Sequence, residues 1–170
     1  MTIEFRPGDF VLRAMMVTAF SLAILAGCES REMPMDTTQL RDFATRYTAA
    51  WCSQNPASVA EFFAECGTLK INDGDPSVGR AAIAADAQSF MAALPDIVLG
   101  MDGISLDGEH AIYRWTLNGT NTGPGGSGNK VHISGYEEWT IGADGLIAES
   151  KGHFDEADYK RQLNTGTEGS

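Results

Sequence analysis

The stretch that determines the fold runs from residue 130 to residue 154 and reads KVHISGYEEWTIGADGLIAESKGHF. Its two halves alternate in character, and Asp144-Gly145 between them has the composition of a hairpin turn. A two-residue loop pairs each odd position before the turn with an even position after it, and paired positions share a face. A three-residue turn or a bulge would shift part of this assignment. The apolar face, which we expect to point inward, carries Gly135, Glu137, Trp139, Ile141, Leu146, Ala148, Ser150, Gly152 and Phe154.

The rest of the domain is predicted from the same two periodicities. Alternation predicts strands at 97–106, 110–118, 130–141 and 146–154, with a short strand at 68–72. Apolar residues at three- and four-residue spacing predict helices at 38–52 and 79–93, and Asn55-Pro56 starts another helix that stops near Gly67. A short helix at 156–163 follows the last strand. Helices followed by a long antiparallel meander predict an α+β domain: a cone-shaped barrel of curved antiparallel sheet wrapped around three N-terminal helices, with a pocket inside.

The N-terminal segment is a separate unit. Residues 14–27 are uncharged and mostly apolar, follow Arg13, and are too few to span a bilayer as a mature helix. They end in Leu-Ala-Gly before Cys28, which resembles the bacterial lipobox, where the Cys thiol is lipidated and cleavage precedes it. We expect a signal peptide at 1–27, a tether at 28–36, the domain at 37–164 and a disordered tail at 165–170. The protein would be exported and lipid-anchored to the bacterial cell envelope; the alternatives are an ordinary signal peptide or an uncleaved anchor with a buried Cys28.

The charge balance argues against nucleic acid as a partner. The chain has 12 Lys and Arg residues against 23 Asp and Glu residues, a formal net charge of −11. Phosphate binding needs clustered basic side chains, and the basic residues here are scattered. The chain is of ordinary globular composition, with 43% hydrophobic residues.

Cysteine and histidine spacing gives no sign of a metal site, and no cofactor is expected. If Cys28 carries lipid, Cys52 and Cys66 remain, and they flank one predicted helix. A disulfide between them is possible in an oxidising compartment, and two buried thiols are the alternative. The three histidines have no ligand spacing. The Gly-rich run at 123–128 lacks the Lys-Ser/Thr ending of a phosphate loop, so we interpret it as a mobile connection at the rim of the pocket.

Several motifs, taken in order, resemble the SnoaL-like polyketide cyclase group of the nuclear transport factor 2-like superfamily. These are YTAAW at 47–51, GRAAI at 79–83, LPD at 94–96, RWTLNGTNTG at 114–123, DGLI at 144–147, and Asp155 followed by RQL at 161–163. The resemblance implies an α+β barrel with a conical pocket that is often dimeric through its outer sheet. Members include cyclases, isomerases, dehydratases and hydrolases, and others have no known activity.

Glu137 is the candidate catalytic residue. A carboxylate on an apolar concave wall has its charged form disfavoured, so its pKa should rise toward the range useful for proton transfer. The alternative is that Glu137 is paired with Arg114, or with a backbone or tyrosine donor. Arg114 faces either into the pocket or out of it. The other candidate pocket residues, for which plain core packing is the alternative, are Tyr47, Trp51, Trp115, Trp139 and Ser150.

Two departures from the family pattern bear on function. Gly152 stands where the resemblance places the acid of the catalytic cyclases, and Asn121 stands where a histidine is frequent. The sequence therefore favours a lipid-anchored domain that binds a small apolar or carbonyl-containing ligand. The alternatives are an acid/base enzyme acting on a small carbonyl compound through Glu137, and an interaction module that uses the outer sheet, including a possible homodimer.

Overall fold

The computed structural model describes residues 35–167, so Cys28 and the predicted signal peptide lie outside the described residues. The α+β class is confirmed, because three helices precede a run of long strands. In chain order the elements are α1 (Thr37–Cys52), α2 (Pro56–Ala60), β1 (Phe63–Ile71), β2 (Ser77–Val78), α3 (Arg80–Ala93), β3 (Val98–Asp107), β4 (His110–Thr120), β5 (Lys130–Ile141), β6 (Ile147–Phe154) and α4 (Glu156–Thr165).

The strands form one curved, open sheet in the order β2-β1-β6-β5-β4-β3. All neighbours pair antiparallel except β1 and β6, which run parallel with Leu69 opposite Ser150. The predicted curved sheet is therefore present, but it is open, and it is mixed because one of its strand pairs is parallel. Parallel neighbours need a long crossover connection, and the chain between β1 and β6, which contains α3 and four strands, provides it.

The second helix is shorter than predicted, and the strand after it is longer. α2 ends at Ala60, and Phe63, which the sequence placed on the helix, is the first residue of β1. A register shift between Phe63 and Thr68 brings β1 close to β6. Gly67 lies in this shift, where a Cβ would stand 2.8 Å from the carbonyl oxygen of Ile147. A residue without a side chain is therefore required where the two strands approach.

The hairpin between β5 and β6 keeps the predicted parity through its body. Glu137 lies opposite Gly152 and Trp139 lies opposite Ser150. The loop has three residues rather than two, and Gly145 adopts a left-handed backbone with φ of 74°. This geometry places a bulge next to the turn, so Ile147 rather than Leu146 is fully buried. The predicted assignment of side chains to faces was therefore wrong only beside the turn, where the extra residue turns Ile147 inward in place of Leu146.

Helix ends and side-chain bonds hold the helices on the sheet. Asp36 caps α1 through a reciprocal capping box with Gln39, and the buried side of α1 includes Tyr47 and Trp51. α4 lies against β5, where Gln162 accepts from the backbone N–H of His132 and donates to its carbonyl. Among residues 35–167, none of the helices combines the length and apolar character that crossing a membrane requires.

The possible Cys52–Cys66 disulfide does not form, because the Cys52 thiol is free. Its Sγ accepts from the backbone N–H of Leu99 at 3.3 Å and lies 3.4 Å from the carbonyl oxygen of the same residue. These contacts tie the end of α1 to β3. Cys52 therefore serves as a small hydrogen-bonding residue between a helix and an edge strand.

Candidate functional site

A cavity of about 50 Å³ lies between the inner face of the sheet and helices α1 and α3. Its walls come from both helices and from five of the six strands, so no single motif encodes it. Glu137 supplies the ionisable side chain of this lining. The lining residues are Trp51, Leu69, Ile71, Phe90, Leu99, Trp115, Leu117, Glu137, Gly152 and Phe154.

Four lining rings form a continuous chain of contacts, which we call the aromatic wall: Trp51, Phe90, Phe154 and Trp115. Successive ring centroids are 6.1, 6.3 and 6.1 Å apart. The first two pairs meet edge to face, with interplanar angles of 78° and 77°, and the last pair is tilted by 59°. Neighbouring rings therefore meet at steep angles, and the quadrupoles of aromatic rings favour the two edge-to-face contacts.

The Glu137 carboxylate accepts hydrogen bonds from three neutral side chains. Oε2 accepts from Ser150 Oγ at 2.7 Å and from Trp139 Nε1 at 2.8 Å. The Tyr47 hydroxyl lies 3.2 Å from Oε2 and 3.3 Å from Oε1, so it is shared between the two oxygens. Oε1 has no other protein partner among the described residues. The carboxylate is thus fixed through Oε2, and Oε1 keeps unused acceptor capacity.

Burial changes the acid–base properties of this group of residues. Glu137 is 6% exposed, and its burial raises its pKa above the ordinary 4.5, while the bonds from Trp139, Ser150 and Tyr47 oppose that rise. Burial and the charge of Glu137 raise the pKa of Tyr47 well above 10. The pKa of Tyr113, which stacks on Trp139 at 4.7 Å, is also raised by burial. Both phenols therefore remain protonated at neutral pH.

Arg114 does not belong to the pocket, which corrects that part of the prediction. Its side chain is exposed on the outer face of β4 and donates to Ser105 Oγ at 3.3 Å. Arg114 lies between two buried residues, Tyr113 and Trp115, so alternation turns it away from the cavity. In residues 35–167, none of the ion pairs involves Glu137. The alternative in which Arg114 neutralises Glu137 is therefore wrong.

The other predicted pocket residues occupy two shells. Trp51 and Trp115 line the cavity. Tyr47, Trp139 and Ser150 are fully buried behind it and hold the Glu137 carboxylate.

Sequence reasoning missed part of the wall. Leu69 and Ile71 line the cavity from β1, and Leu99 lines it from β3. The β1 pair was missed because the parallel pairing of this strand with β6 was not foreseen. Alternation of Leu69 and Ile71 with polar Lys70 was the available signal for an inner face.

Two indole N–H groups beside the cavity have no partner. Nε1 of Trp51 and Nε1 of Trp115 are buried and donate no hydrogen bond to any residue that the structure describes. The Trp51 side chain also interacts with the neighbouring Tyr47, whose pKa it lowers against the larger effect of burial. An unpaired buried donor costs about 1–3 kcal/mol, so both are available to a ligand that carries an acceptor.

The arrangement has the means for recognition and for proton transfer by one carboxyl group. Within residues 35–167, no three His, Cys, Asp or Glu side chains cluster closely enough to hold a metal ion. The three histidines are not among the residues that line the cavity; they lie at exposed or outward-facing strand positions. The chemistry of the cavity therefore rests on Glu137 and on its aromatic surroundings.

Comparison with known proteins agrees with this geometry at the level of family and fold. The family model described as SnoaL-like polyketide cyclase matches residues 41–163. A search of curated proteins finds no match. The matched range covers all the helices and strands that form the cavity, from the first turns of α1 to α4.

Three solved structures share the nuclear transport factor 2-like fold. TsrD from Streptomyces laurentii superposes with a TM-score of 0.66 at 21% identity, covering 77% of this chain and 98% of its own. A ketosteroid isomerase-like protein from Catenulispora acidiphila, in complex with trimethylamine, gives 0.63 at 17%, covering 72% and 92%. A nuclear transport factor 2-like protein of unknown function from Burkholderia pseudomallei gives 0.63 at 16%, covering 73% and 96%. At these identities the likeness concerns the fold alone, and it confirms the predicted fold class.

Proposed function

The chain belongs to the SnoaL-like polyketide cyclase family, and on that premise we propose that its domain binds a small, largely apolar molecule in the cavity, with Glu137 as the polar contact. The observation that carries this proposal is the position of Glu137: a buried carboxylate that lines an aromatic and aliphatic cavity and forms no ion pair with the described residues. Such a cavity with a few convergent polar groups is the usual form of a small-molecule site.

Two further observations support binding. The unpaired indole N–H groups of Trp51 and Trp115 would each gain a hydrogen bond from a ligand oxygen, such as a carbonyl, that accepts from them. The Catenulispora acidiphila neighbour of the same fold was solved with a small organic molecule, trimethylamine. Which ligand this chain binds depends on the residues that line its own cavity.

The test is a thermal-shift screen of small polar-headed apolar compounds against a variant with the cavity blocked. In Gly152→Leu the new side chain grows toward Glu137, because a Cβ at Gly152 stands 3.7 Å from Glu137 Cγ, in ordinary contact. A ligand of the cavity raises the melting temperature of the natural protein by mass action and leaves Gly152→Leu unshifted. The outward neighbour variant His153→Leu is the control and should respond as the natural protein does. Equal shifts in all three proteins would exclude the cavity as the site.

A second candidate function is acid/base catalysis on a small carbonyl compound, by isomerisation, dehydration or cyclisation. It is favoured by the raised pKa of Glu137, which brings the group toward the range where it can both accept and donate a proton. Against it stands Gly152 at the position of the family's acid. Glu137→Gln should lower kcat/KM by roughly 100-fold or more with any substrate found, while the adjacent Glu138→Gln should not. Full turnover in Glu137→Gln would remove Glu137 as the base.

We also propose that the protein is exported and anchored to the bacterial cell envelope by a lipid on Cys28. The support is the apolar run at 14–27 that ends in Leu-Ala-Gly-Cys. Labelling with a palmitate analogue should mark the natural protein, and Cys28→Ser should lose both label and membrane association. A Cys28→Ser protein that keeps its label would contradict the anchor.

A homodimer through the outer face of the sheet is a further proposal. The outward side chains of β5 and β6 include Tyr136, 39% exposed, whose ring stacks on His153 at 4.8 Å. Light scattering on the purified domain should give twice the chain mass, and Tyr136→Glu should return it to one chain mass. A monomer at all concentrations would contradict this assembly.

A further inference from the structure

We infer that the group held in the cavity is a small methylated ammonium, the head of a tertiary or quaternary organic amine. This inference rests on the proposed binding function and specifies its ligand class. It draws on three properties of the described residues: the missing counter-charge of Glu137, the aromatic wall, and the size of the cavity.

The first property is the missing counter-charge. A carboxylate taken out of water is normally paired with a cation, because neutral hydrogen bonds compensate only part of its lost hydration. Glu137 receives three neutral donors and no Lys, Arg or His within ion-pair distance. The cavity lining contains no basic side chain. A cationic ligand would therefore supply the partner that the protein does not.

The second property is the aromatic wall. A cation placed over the face of Trp, Tyr or Phe within about 6 Å of the ring centroid is attracted by the ring quadrupole, and methylated ammonium groups are recognised in this way. Trp51, Phe90, Phe154 and Trp115 surround the cavity as one chain of rings. Aliphatic residues, Leu69 and Leu117 among them, complete the lining and suit the methyl groups. An unmethylated ammonium would lose its hydration without enough acceptors to replace it.

The third property is size. A cavity of about 50 Å³ exceeds the roughly 10–15 Å³ that one water molecule needs, so it suits a small head group. A trimethylammonium group has four heavy atoms and a tetramethylammonium ion has five. The net charge of the chain, −11, adds a long-range preference for cations over anions.

Tetramethylammonium is the probe, because its charge does not change with pH, and tert-butanol is a neutral molecule with the same number of heavy atoms. Calorimetric or NMR titration at pH 8 and constant ionic strength should show the cation binding at least about tenfold more tightly than the alcohol. Glu137→Gln should abolish this preference. Glu138→Gln, the same change one residue along the strand on the outer face, should keep it.

The pH dependence has a definite sign. The titratable groups that face Glu137 are Tyr47 from α1 and Tyr113 from β4, and the pKa of each is raised above 10. Neither changes charge between pH 4 and pH 9, so among these groups only Glu137 alters the charge beside the cavity in that range. Affinity should fall as the pH is lowered through the pKa of Glu137, and Glu137→Gln should bind the cation equally weakly at every pH.

The outcomes separate this inference from the binding function itself. Equal affinity for the cation and the alcohol, or a preference that survives in Glu137→Gln, overturns the cationic ligand; neutral compounds blocked by Gly152→Leu would then leave the binding function standing. Cation binding that Gly152→Leu does not reduce places the site elsewhere and overturns both. If Glu137→Gln fails to fold, Phe154→Leu serves instead: it keeps the carboxylate and removes one ring, and it should lower the affinity for the cation more than that for the alcohol. Equal losses for the two probes would overturn the role of the aromatic wall.

Discussion

Glu137 and Glu138 are the same residue type at adjacent positions of β5, yet they lie in opposite environments. Glu137 is 6% exposed and receives hydrogen bonds from Tyr47, Trp139 and Ser150. Glu138 is on the outer face, where the residue opposite it on β6 is Lys151. A carboxylate in water is hydrated and screened, so its contacts contribute little to stability. The pKa of a buried carboxylate depends on the groups around it.

The same difference holds for the two faces of the hairpin as a whole. On the outer face the contacts are surface contacts, such as the Lys151–Glu149 ion pair at 3.1 Å, with both side chains more than 40% exposed. On the inner face polar atoms are few, and each belongs to the network around Glu137. The comparison teaches that substitutions one residue apart should differ sharply in effect, and paired variants can test this.

The largest difference is expected between the two aromatic residues Trp139 and Tyr136. Trp139 is fully buried, stacks on Tyr113 and donates to Glu137, so Trp139→Ala should lower the free energy of unfolding by about 3–5 kcal/mol. Tyr136→Ala on the outer face should lower it by less than about 1 kcal/mol. Urea denaturation of both variants measures this, and similar losses would mean that the two faces are not distinct.

Two glycines of the inner face should lose very different amounts of stability when a methyl group is added. In Gly135→Ala the Cβ would collide with the carbonyl oxygen of His153 and stand 2.6 Å from Cζ2 of Trp115, which should destabilise the fold by up to about 3 kcal/mol. In Gly152→Ala the nearest atoms are 3.7 Å away, so stability should change by less than about 1 kcal/mol. Thermal and urea unfolding of the two variants would show whether there is free space beside Glu137. A large loss of stability in Gly152→Ala would mean that there is not.

Removing a single hydroxyl group from each face should give a smaller difference in the free energy of unfolding. Ser150 is fully buried and donates to Glu137 at 2.7 Å, so Ser150→Ala should cost about 1.5 kcal/mol and raise the pKa of Glu137 further. Ser134 is exposed on the outer face and shares a hydrogen bond with Thr116 at 2.8 Å. Ser134→Ala should stay within about 0.5 kcal/mol of the natural protein. Equal effects would mean that the bond from Ser150 contributes nothing.

The smallest expected difference is in the pH dependence of stability. Because the pKa of Glu137 is raised in the folded state, the folded protein holds its proton more tightly, and this contribution is lost as the pH rises from about 4.5 through the folded pKa. Relative to Glu137→Gln, the natural protein should lose at most about 1.4 kcal/mol per pH unit over that window. Glu138→Gln should run parallel to the natural protein. Parallel curves for Glu137→Gln would instead indicate an unshifted carboxyl group.

The inner face of this hairpin could be predicted from the sequence because side chains alternate strictly along a strand. One parity argument put Glu137, Trp139, Ser150 and Gly152 on one side, and the register between β5 and β6 agrees. The parity assignment is wrong beside the turn, where a left-handed Gly145 adds a third loop residue and Ile147 takes the buried position predicted for Leu146. It was also unavailable for Arg114, because the long connection after β4 breaks the count.

The rest of the site depends on distant segments. Tyr47 is 90 residues from Glu137 in sequence, and no periodicity within α1 indicates which carboxylate its hydroxyl contacts. The parallel pairing of β1 with β6, which brings Leu69 and Ile71 into the wall, likewise joins segments about eighty residues apart. Such pairings are decided by the packing of the whole sheet.

The sequence by itself determined the α+β class, the family, the order of the elements and the side of the sheet on which Glu137 lies, because local periodicity and motif order encode these. The tertiary structure alone decided that Glu137 has three neutral donors and no cationic partner within residues 35–167, and that Arg114 lies outside the pocket. It also decided that four rings from α1, α3, β4 and β6 line one cavity. The reason is physical: burial and hydrogen bonding of a side chain depend on residues that the chain brings together only when it folds.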